Sequence, residues 1–420
     1  MLKKLKPKSE FSRNVLTLMT GTTIAQAIPI AISPILTRIY TPEDFGVFAL
    51  FLAIVGFFSS VASLRYEQAI LIPKRDEDAI NIFALGFIIV LLISLSLLFV
   101  IILFNDNFVN YLNNEAISNW LYLIPITVFI IGIFNLLILF NNRKKKYQII
   151  SNATVLKSIV LATVQISVGF LKTGVDGLII GQVVSQFFAN IKLIKSILKD
   201  KILLSKIDRF KMITLAKKYA NFPKFQVPHT MLNTFSSNLP IYIFTPFFGA
   251  LMVGLYSLST RIVFTPLMII AGASAKVYSQ NITTLYSQKQ DTYYFTIHFI
   301  KSLFIKIIIP YVIFIIFAPE IFGFVFGERW TEAGIYSQIL SPWMFLNVLV
   351  STVSFIPSLV NKQKKAFFVS ILQLFLTIIA IVIGVLNNSI YMSLVFFCIL
   401  NSLVLIYNLR WMIYALKAEN

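Results

Sequence analysis

Four basic residues stand inside or beside apolar runs where no loop accounts for them: Arg65, Lys157, Arg261 and Lys276. A cation at the centre of a membrane helix costs roughly 2.5–3.5 kcal/mol on insertion scales, so it is expected to face a polar cavity rather than lipid. Such a cavity would recognise an anion, because Arg forks onto phosphate or carboxylate oxygens and Lys supplies a mobile point charge. Lys157 and Arg261 lie deepest in their runs. Arg65 and Lys276 lie nearer the ends, where snorkelling to headgroups would account for them equally well. Arg38 sits at a loop mouth, as an interface anchor or as part of an exit path.

Two further side chains bear on ion movement. Glu67 follows Arg65 closely enough to pair with it, to take part in ion coupling, or to be an ordinary helix-end charge. His229 could carry a proton or simply line its helix. Covalent chemistry has no foothold: no catalytic constellation and no G-x-x-x-x-G-K-[ST] phosphate loop occurs. Cys398, the single cysteine, lies within an apolar run, which excludes an internal disulfide or thiolate metal site. The expectation is a protein that is not an enzyme and holds no metal or cofactor, with proton or sodium coupling left open.

The elements that carry these residues follow from composition. Of the chain's 420 residues, 58% are hydrophobic and only 13% charged. That is more apolar surface than a soluble domain could bury. A window of about 20 residues, the span of a bilayer core, finds runs at 15–37, 47–66, 80–104, 120–140, 149–171, 177–198, 225–247, 254–280, 302–326, 335–360, 366–386 and 390–411. The first is too long for a signal-peptide core and lacks a small-x-small cleavage site, so it reads as a retained helix. Twelve spans make an all-α polytopic membrane protein with both termini on one side. Pro29, Pro34, Pro223, Pro228, Pro240 and Pro246 predict bends in the first and seventh runs.

Charge assigns the sides. Lys3, Lys4, Lys6, Lys8 and Arg13, the Lys74-Arg75 and Arg143–Lys146 loops, the lysines between 192 and 224, and the loops near 289, 362 and 410 share one side. Arg38, Lys172 and Arg329 alone occupy the other, so the positive-inside rule places both termini and the central loop in the cytoplasm. The formal charge of +19 therefore caps spans and does not imply nucleic-acid binding. In the central loop Leu203, Ile207, Phe210 and Ile213 recur at helical spacing, predicting a helix along the membrane interface.

The halves repeat. Glu115-Ala116, Leu123 and Pro125 match Glu332-Ala333, Leu340 and Pro342; Asn142–Lys146 with Ser151 matches Asn361–Lys365 with Ser370; Gly46–Leu50 matches Gly254–Leu258. Offsets near equality in chain order predict two six-helix bundles, 1–200 and 201–420, with 201–224 as a basic linker. An even repeat relates them by a pseudo-twofold axis along the membrane normal, the plan of an alternating-access transporter.

Thr37–Gly46 (TRIYTPEDFG) and Arg65–Ile70 with Pro73 resemble the first external loop and second-helix end of polysaccharide repeat-unit flippases, the O-antigen and capsule exporters. Phe222-Pro223 through Pro240, Arg261 with Pro266, and Gly327–Trp330 with Ala333-Gly334 continue the likeness. The resemblance implies the multidrug/oligosaccharidyl-lipid/polysaccharide exporter fold in a bacterial inner membrane. It also implies an undecaprenyl-diphosphate-linked oligosaccharide as cargo, with membrane lipids and other polysaccharide assembly proteins as partners. Its alternative on the same fold is an ion-coupled multidrug-type antiporter, which would want carboxylates within the spans. A membrane glycosyltransferase would want acidic catalytic residues and large loops, and the longest loop here is short and basic. A major-facilitator transporter would carry Gly…Asp-Arg-x-Gly-Arg after the second span, which is absent.

Overall fold

The computed structural model describes residues 10–171 and 174–417; Lys3, Lys4, Lys6, Lys8 and Lys172, which contribute to the charge asymmetry, lie outside them. Every regular element among the described residues is helical: α1 (Glu10–Ala31), α2 (Ser33–Ile39), α3 (Pro42–Ser59), α4 (Tyr66–Ala69), α5 (Asp76–Leu112), α6 (Ile124–Arg143), α7 (Tyr147–Leu171), α8 (Asp176–Leu198), α9 (Arg209–Lys218) and α10 (Val227–Ser259). There follow α11 (Thr265–Ser287), α12 (Thr292–Ile316), α13 (Ala318–Phe326), α14 (Thr331–Thr352), α15 (Gln363–Leu386) and α16 (Ile390–Lys417), besides shorter turns.

Eleven helical stretches among the described residues are long and apolar enough to cross a membrane, the longest being Phe222–Ser287. At about 1.5 Å per residue that stretch would reach about 100 Å, against a bilayer core of about 30 Å. It is two rods, parted inside α10 where Gly249 adopts a φ of 84°. That conformation is open to glycine and costly for other residues. The twelve expected spans are thereby present, and the fold is an all-α polytopic one. The break between the rods falls at Gly249; of the four prolines expected to bend this run, Pro223 lies in a π-helical turn, Phe222–Gln226, whereas Pro240 and Pro246 lie inside α10.

Three boundaries differ from expectation for local reasons. The second span stops at Ser59, and a turn follows in which Leu64 and Arg65 both take positive φ and lead into the short helix α4. The third begins earlier, at Asp76, where Asp76, Glu77 and Asp78 fill the first turn, a position that favours negative charge. The run expected over 302–326 is two helices, α12 ending at Ile316 and α13 carrying Pro319 in its first turn, a position that suits proline.

Packing groups Met1–Ala250 into one compact unit and Leu251–Asn420 into another. The division lies later than the 200/201 boundary read from the repeat. The stretch up to Ala250 packs on α3: the Tyr242 hydroxyl donates to the Ala53 carbonyl at 2.7 Å, and Phe235 meets Phe57 edge-on. In the first unit Leu36, Phe45, Leu50, Phe51, Ile80 and Phe140 are fully buried, while the α5 residues Leu92, Leu95, Phe99 and Ile102 stay more than half exposed. A lipid-facing side of a membrane span has this character. In the second unit Tyr278, Trp330 and Tyr336 fill the core, and the Tyr278 and Thr296 hydroxyls share a hydrogen bond of 2.8 Å.

The linker helix α9 is capped by Asp208, whose carboxylate accepts from the Lys211 amide at 2.8 Å. Asn81 at the start of α5 docks the linker, accepting from the Asp208 amide at 2.8 Å and donating to the Lys206 carbonyl at 2.9 Å. Of the stripe expected to lie on the interface, Leu203 turns inward, whereas Ile207, Phe210 and Ile213 stay exposed.

Candidate functional site

Within the first unit, Lys157 occupies the middle of α7, half-buried, with its ammonium 5.3 Å from the centre of the Phe134 ring on α6. An aromatic face attracts a cation without using its hydrogen-bond donors, so the three N–H groups remain available to an anion. One residue on, the Ser158 hydroxyl donates to the Ala25 carbonyl at 2.7 Å and ties α7 to α1. Lys157 is thus carried on a fixed helix face.

Arg65 and Glu67 come together. The guanidinium lies 3.1 Å from the Glu67 carboxylate, whose other oxygen accepts from the Ser63 hydroxyl. Glu67 is buried, and Arg65 Nε is buried without a hydrogen-bond partner. Of the alternatives for Glu67, ion pairing with Arg65 is what the geometry presents. The neighbouring Tyr66 hydroxyl donates to the Ala216 carbonyl on α9 at 3.0 Å, so this turn also seats the linker.

Arg38 is exposed and donates back to the Pro34 carbonyl at 2.8 Å. His229 is exposed in the first turn of α10, with the Asn233 amide 3.4 Å from its ring nitrogen.

Within the second unit, Arg261 is half-buried in a π-helical turn, Thr260–Phe264, between α10 and α11. A π-turn inserts an extra residue into the hydrogen-bond ladder and re-aims side chains, and such turns recur at functional sites. Beside it, Ser259 and Ser337 share a hydrogen bond of 2.8 Å, fixing the turn to α14. Lys276 sits near the middle of α11, exposed, and not at a helix end as its run of 254–280 had implied.

The external motif resolves into folding roles. The Tyr40 hydroxyl donates to the Gln165 carbonyl at 2.6 Å, packing against Gly177, where a Cβ would overlap the hydroxyl. Burial, then the carboxylates of Asp44 and Asp176, push the Tyr40 phenol up to about 12. Thr41 and Asp44 form a reciprocal capping box at the start of α3, with Pro42 in the first turn, where both devices satisfy or spare unpaired amides. Gly46 lies against the Ala250 carbonyl.

Neutral polar groups inside the spans carry no charge to mark them in the sequence. Gln186 on α8 is fully buried with neither amide atom hydrogen-bonded, and the side-chain carbonyl oxygens of Gln165 and Asn190 are likewise unpaired. The available signal was an amide residue within an apolar run. The sequence likewise does not single out Asp76, which the basic loops engage through Arg143 at 2.8 Å and Lys144 at 2.6 Å. Among the described residues no three His, Cys, Asp or Glu side chains converge on a metal position.

A family profile described as "Polysaccharide biosynthesis protein" matches residues 35–335. Among solved structures, the chain is similar to a multidrug resistance MATE family transporter of the MOP superfamily. In the inward-facing form the identity is 16%, with 95% of this chain and 96% of that one covered and a TM-score of 0.58. The outward-facing form gives 14% identity, 96% and 95% coverage and a TM-score of 0.58. A MOP superfamily transporter from Pyrococcus furiosus, described by a reverse polarity of its binding pocket, gives 14% identity, 96% and 95% coverage and a TM-score of 0.56. At these identities the likeness is one of fold. Among curated proteins no sequence matches the chain.

Proposed function

The chain belongs to the polysaccharide biosynthesis protein family, and from that premise we propose that it flips a lipid-linked oligosaccharide across a bacterial inner membrane. It is a multi-pass membrane transporter in fold. In the proposed cycle an undecaprenyl-diphosphate-linked repeat unit enters from the cytoplasmic leaflet and leaves in the outer leaflet by alternating access. Both termini stand in the cytoplasm, and Arg65, Lys157, Arg261 and Lys276 serve as the cations of the path.

One observation carries this reading: the side chains held within the spans at Lys157 and Arg261 are cations, whereas the carboxylates stand at or near helix ends. A diphosphate satisfies that polarity and a cationic drug does not. Each such cation supplies donors to phosphate oxygens, worth about 1.5–3 kcal/mol for a hydrogen bond to a charged group. The inside-negative potential adds about 2.3 kcal/mol per negative charge per 100 mV in the export direction and can assist release with or without a coupled proton or sodium ion.

The test is complementation. The chain is expressed in a bacterium that lacks its own repeat-unit flippase and makes the cognate sugar unit, and surface polysaccharide is measured. Restored surface polymer, lost again in Arg261→Ala, supports the reading. Stable insertion without restoration turns it toward a small-molecule antiporter on the same fold.

A further inference from the structure

The repeated basic motif is used differently in the two halves. In the first, Arg143 is consumed by structure: Nε meets Asp76 at 2.8 Å and Nη1 donates to the Pro73 and Ile70 carbonyls at 2.7 and 3.1 Å. Lys144 pairs with Asp76 at 2.6 Å, and Lys146 donates to the Ser196 carbonyl at 3.0 Å. In the second half, none of Lys362, Lys364 and Lys365 makes an ion pair with a carboxylate among the described residues. There the cations meet aromatic rings. Lys365 Nζ lies 5.0 Å from the centre of the Trp411 ring and 5.8 Å from that of Tyr407, and Arg410 lies 5.7 Å from that of Tyr414.

Tyr407, Arg410, Trp411 and Tyr414 recur on α16 at helical spacing, which presents them on one face. With Lys362 and Lys365 they line a pocket of about 370 Å³. A second hollow of about 560 Å³ shares Lys362, Lys365 and Tyr407 and runs along α15 to Phe368 and Leu372. Phe368 is 58% and Leu372 45% exposed, an apolar wall directly below the cations. Cations seated on rings keep their N–H donors for a ligand. The wall decides the ligand's other end: free phosphate has no use for it, whereas an acyl chain does.

We propose that this pocket binds the phosphate headgroup of an anionic phospholipid, with an acyl chain lying along Phe368 and Leu372. The lipid comes from the leaflet that borders the basic loops. Lys362, Lys365 and Arg410 hold the phosphate, and the Tyr407 and Trp411 rings hold Lys365 in place. A merely positive helix end would attract anionic lipid by summed charge alone; this pocket adds a fixed position.

The experiment is native mass spectrometry of the full chain in detergent, titrated with phosphatidylglycerol and with phosphatidylcholine. The expected result is a retained phosphatidylglycerol adduct that phosphatidylcholine does not form. Each charge removed, in Lys365→Gln or Arg410→Gln, weakens it on the order of fivefold, from about 1 kcal/mol per basic residue at a membrane surface. Lys365→Arg keeps the adduct, which shows that loss in Lys365→Gln is not misfolding. Lys289→Gln removes the same charge from another loop and changes binding less than about twofold. Equal weakening in Lys289→Gln overturns the proposal in favour of general surface attraction. Displacement of the adduct by inorganic phosphate overturns the lipid as its source.

Discussion

The Lys157 ammonium stands 5.3 Å from the centre of the Phe134 ring, carried on α7 and faced from α6. A cation–π contact of this kind contributes about 0.5–2 kcal/mol, less than several charge-assisted bonds to phosphate could add during passage. Lys157→Ala is therefore expected to reduce transport roughly 10- to 100-fold, the loss of about 1.5–3 kcal/mol, with insertion and abundance unchanged. Lys157→Arg should retain part of the activity. Surface polysaccharide in a complemented strain, set against immunoblot abundance, reads the difference; full transport by the Ala variant at normal abundance sinks the role given to Lys157.

Arg261 leads to a second prediction through its π-turn, Thr260–Phe264. The turn departs from the regular hydrogen-bond ladder and re-aims its side chains; a guanidinium placed there can fork onto two phosphate oxygens. Arg261→Lys is expected to keep the protein folded yet recover only a minor share of transport, since an ammonium cannot fork onto two oxygens. Equal transport by the Lys variant would show that charge alone is used.

Asp76 draws two basic side chains from the C-terminal end of α6, Arg143 with 11% of its side chain exposed and Lys144 with 25%. Asp76→Asn leaves the largely desolvated Arg143 without its anion. The expected cost is roughly 1.5–3 kcal/mol, the scale of hydrogen bonds to charged groups, read as a lowered midpoint of unfolding in detergent. An unchanged midpoint would mean that the carbonyls of Ile70 and Pro73 alone satisfy Arg143.

The sequence made Lys157 and Arg261 legible because a charge within an apolar run is costly and therefore conspicuous. It made the spans legible for the same reason. The left-handed turn at Leu64-Arg65 and the break at Gly249 were not readable, because a window average does not register one residue's φ. Asp76 was hidden among loop charges whose partners depend on which helix ends meet. The buried amide of Gln186 and the unpaired side-chain oxygen of Asn190 carry no charge and so leave no mark on a charge map. The external motif is legible as a resemblance, while its physical content, a Tyr40 anchor and a Thr41–Asp44 cap, depends on which helices meet in the fold.

Gly46 on α3 faces the Ala250 carbonyl so closely that any Cβ there would overlap the oxygen. Gly46→Ala must displace backbone and not a flexible side-chain tip, so the expected destabilisation is roughly 1–3 kcal/mol, as for overpacking elsewhere. Thermal unfolding in detergent measures it. A neutral result would mean that the chain at Gly249-Ala250 moves aside at no cost.

Tyr40 supplies the pH prediction. Its phenol is held neutral by burial and by the nearby Asp44 and Asp176 carboxylates, which raise it from 10.0 to about 12. An unfolded chain would ionise this group at its ordinary value. The stability it contributes is therefore complete below pH 10 and declines as pH rises toward about 12, as linkage requires of a group whose folded value is raised. Ionisation also removes the donor to the Gln165 carbonyl. Tyr40→Phe should cost about 1 kcal/mol at neutral pH, the net worth of one hydrogen bond, and should flatten the alkaline loss expected of the parent above pH 10. Unfolding midpoints of both proteins across that range decide it: parallel curves would place the alkaline sensitivity in other groups, and converging curves would assign it to Tyr40.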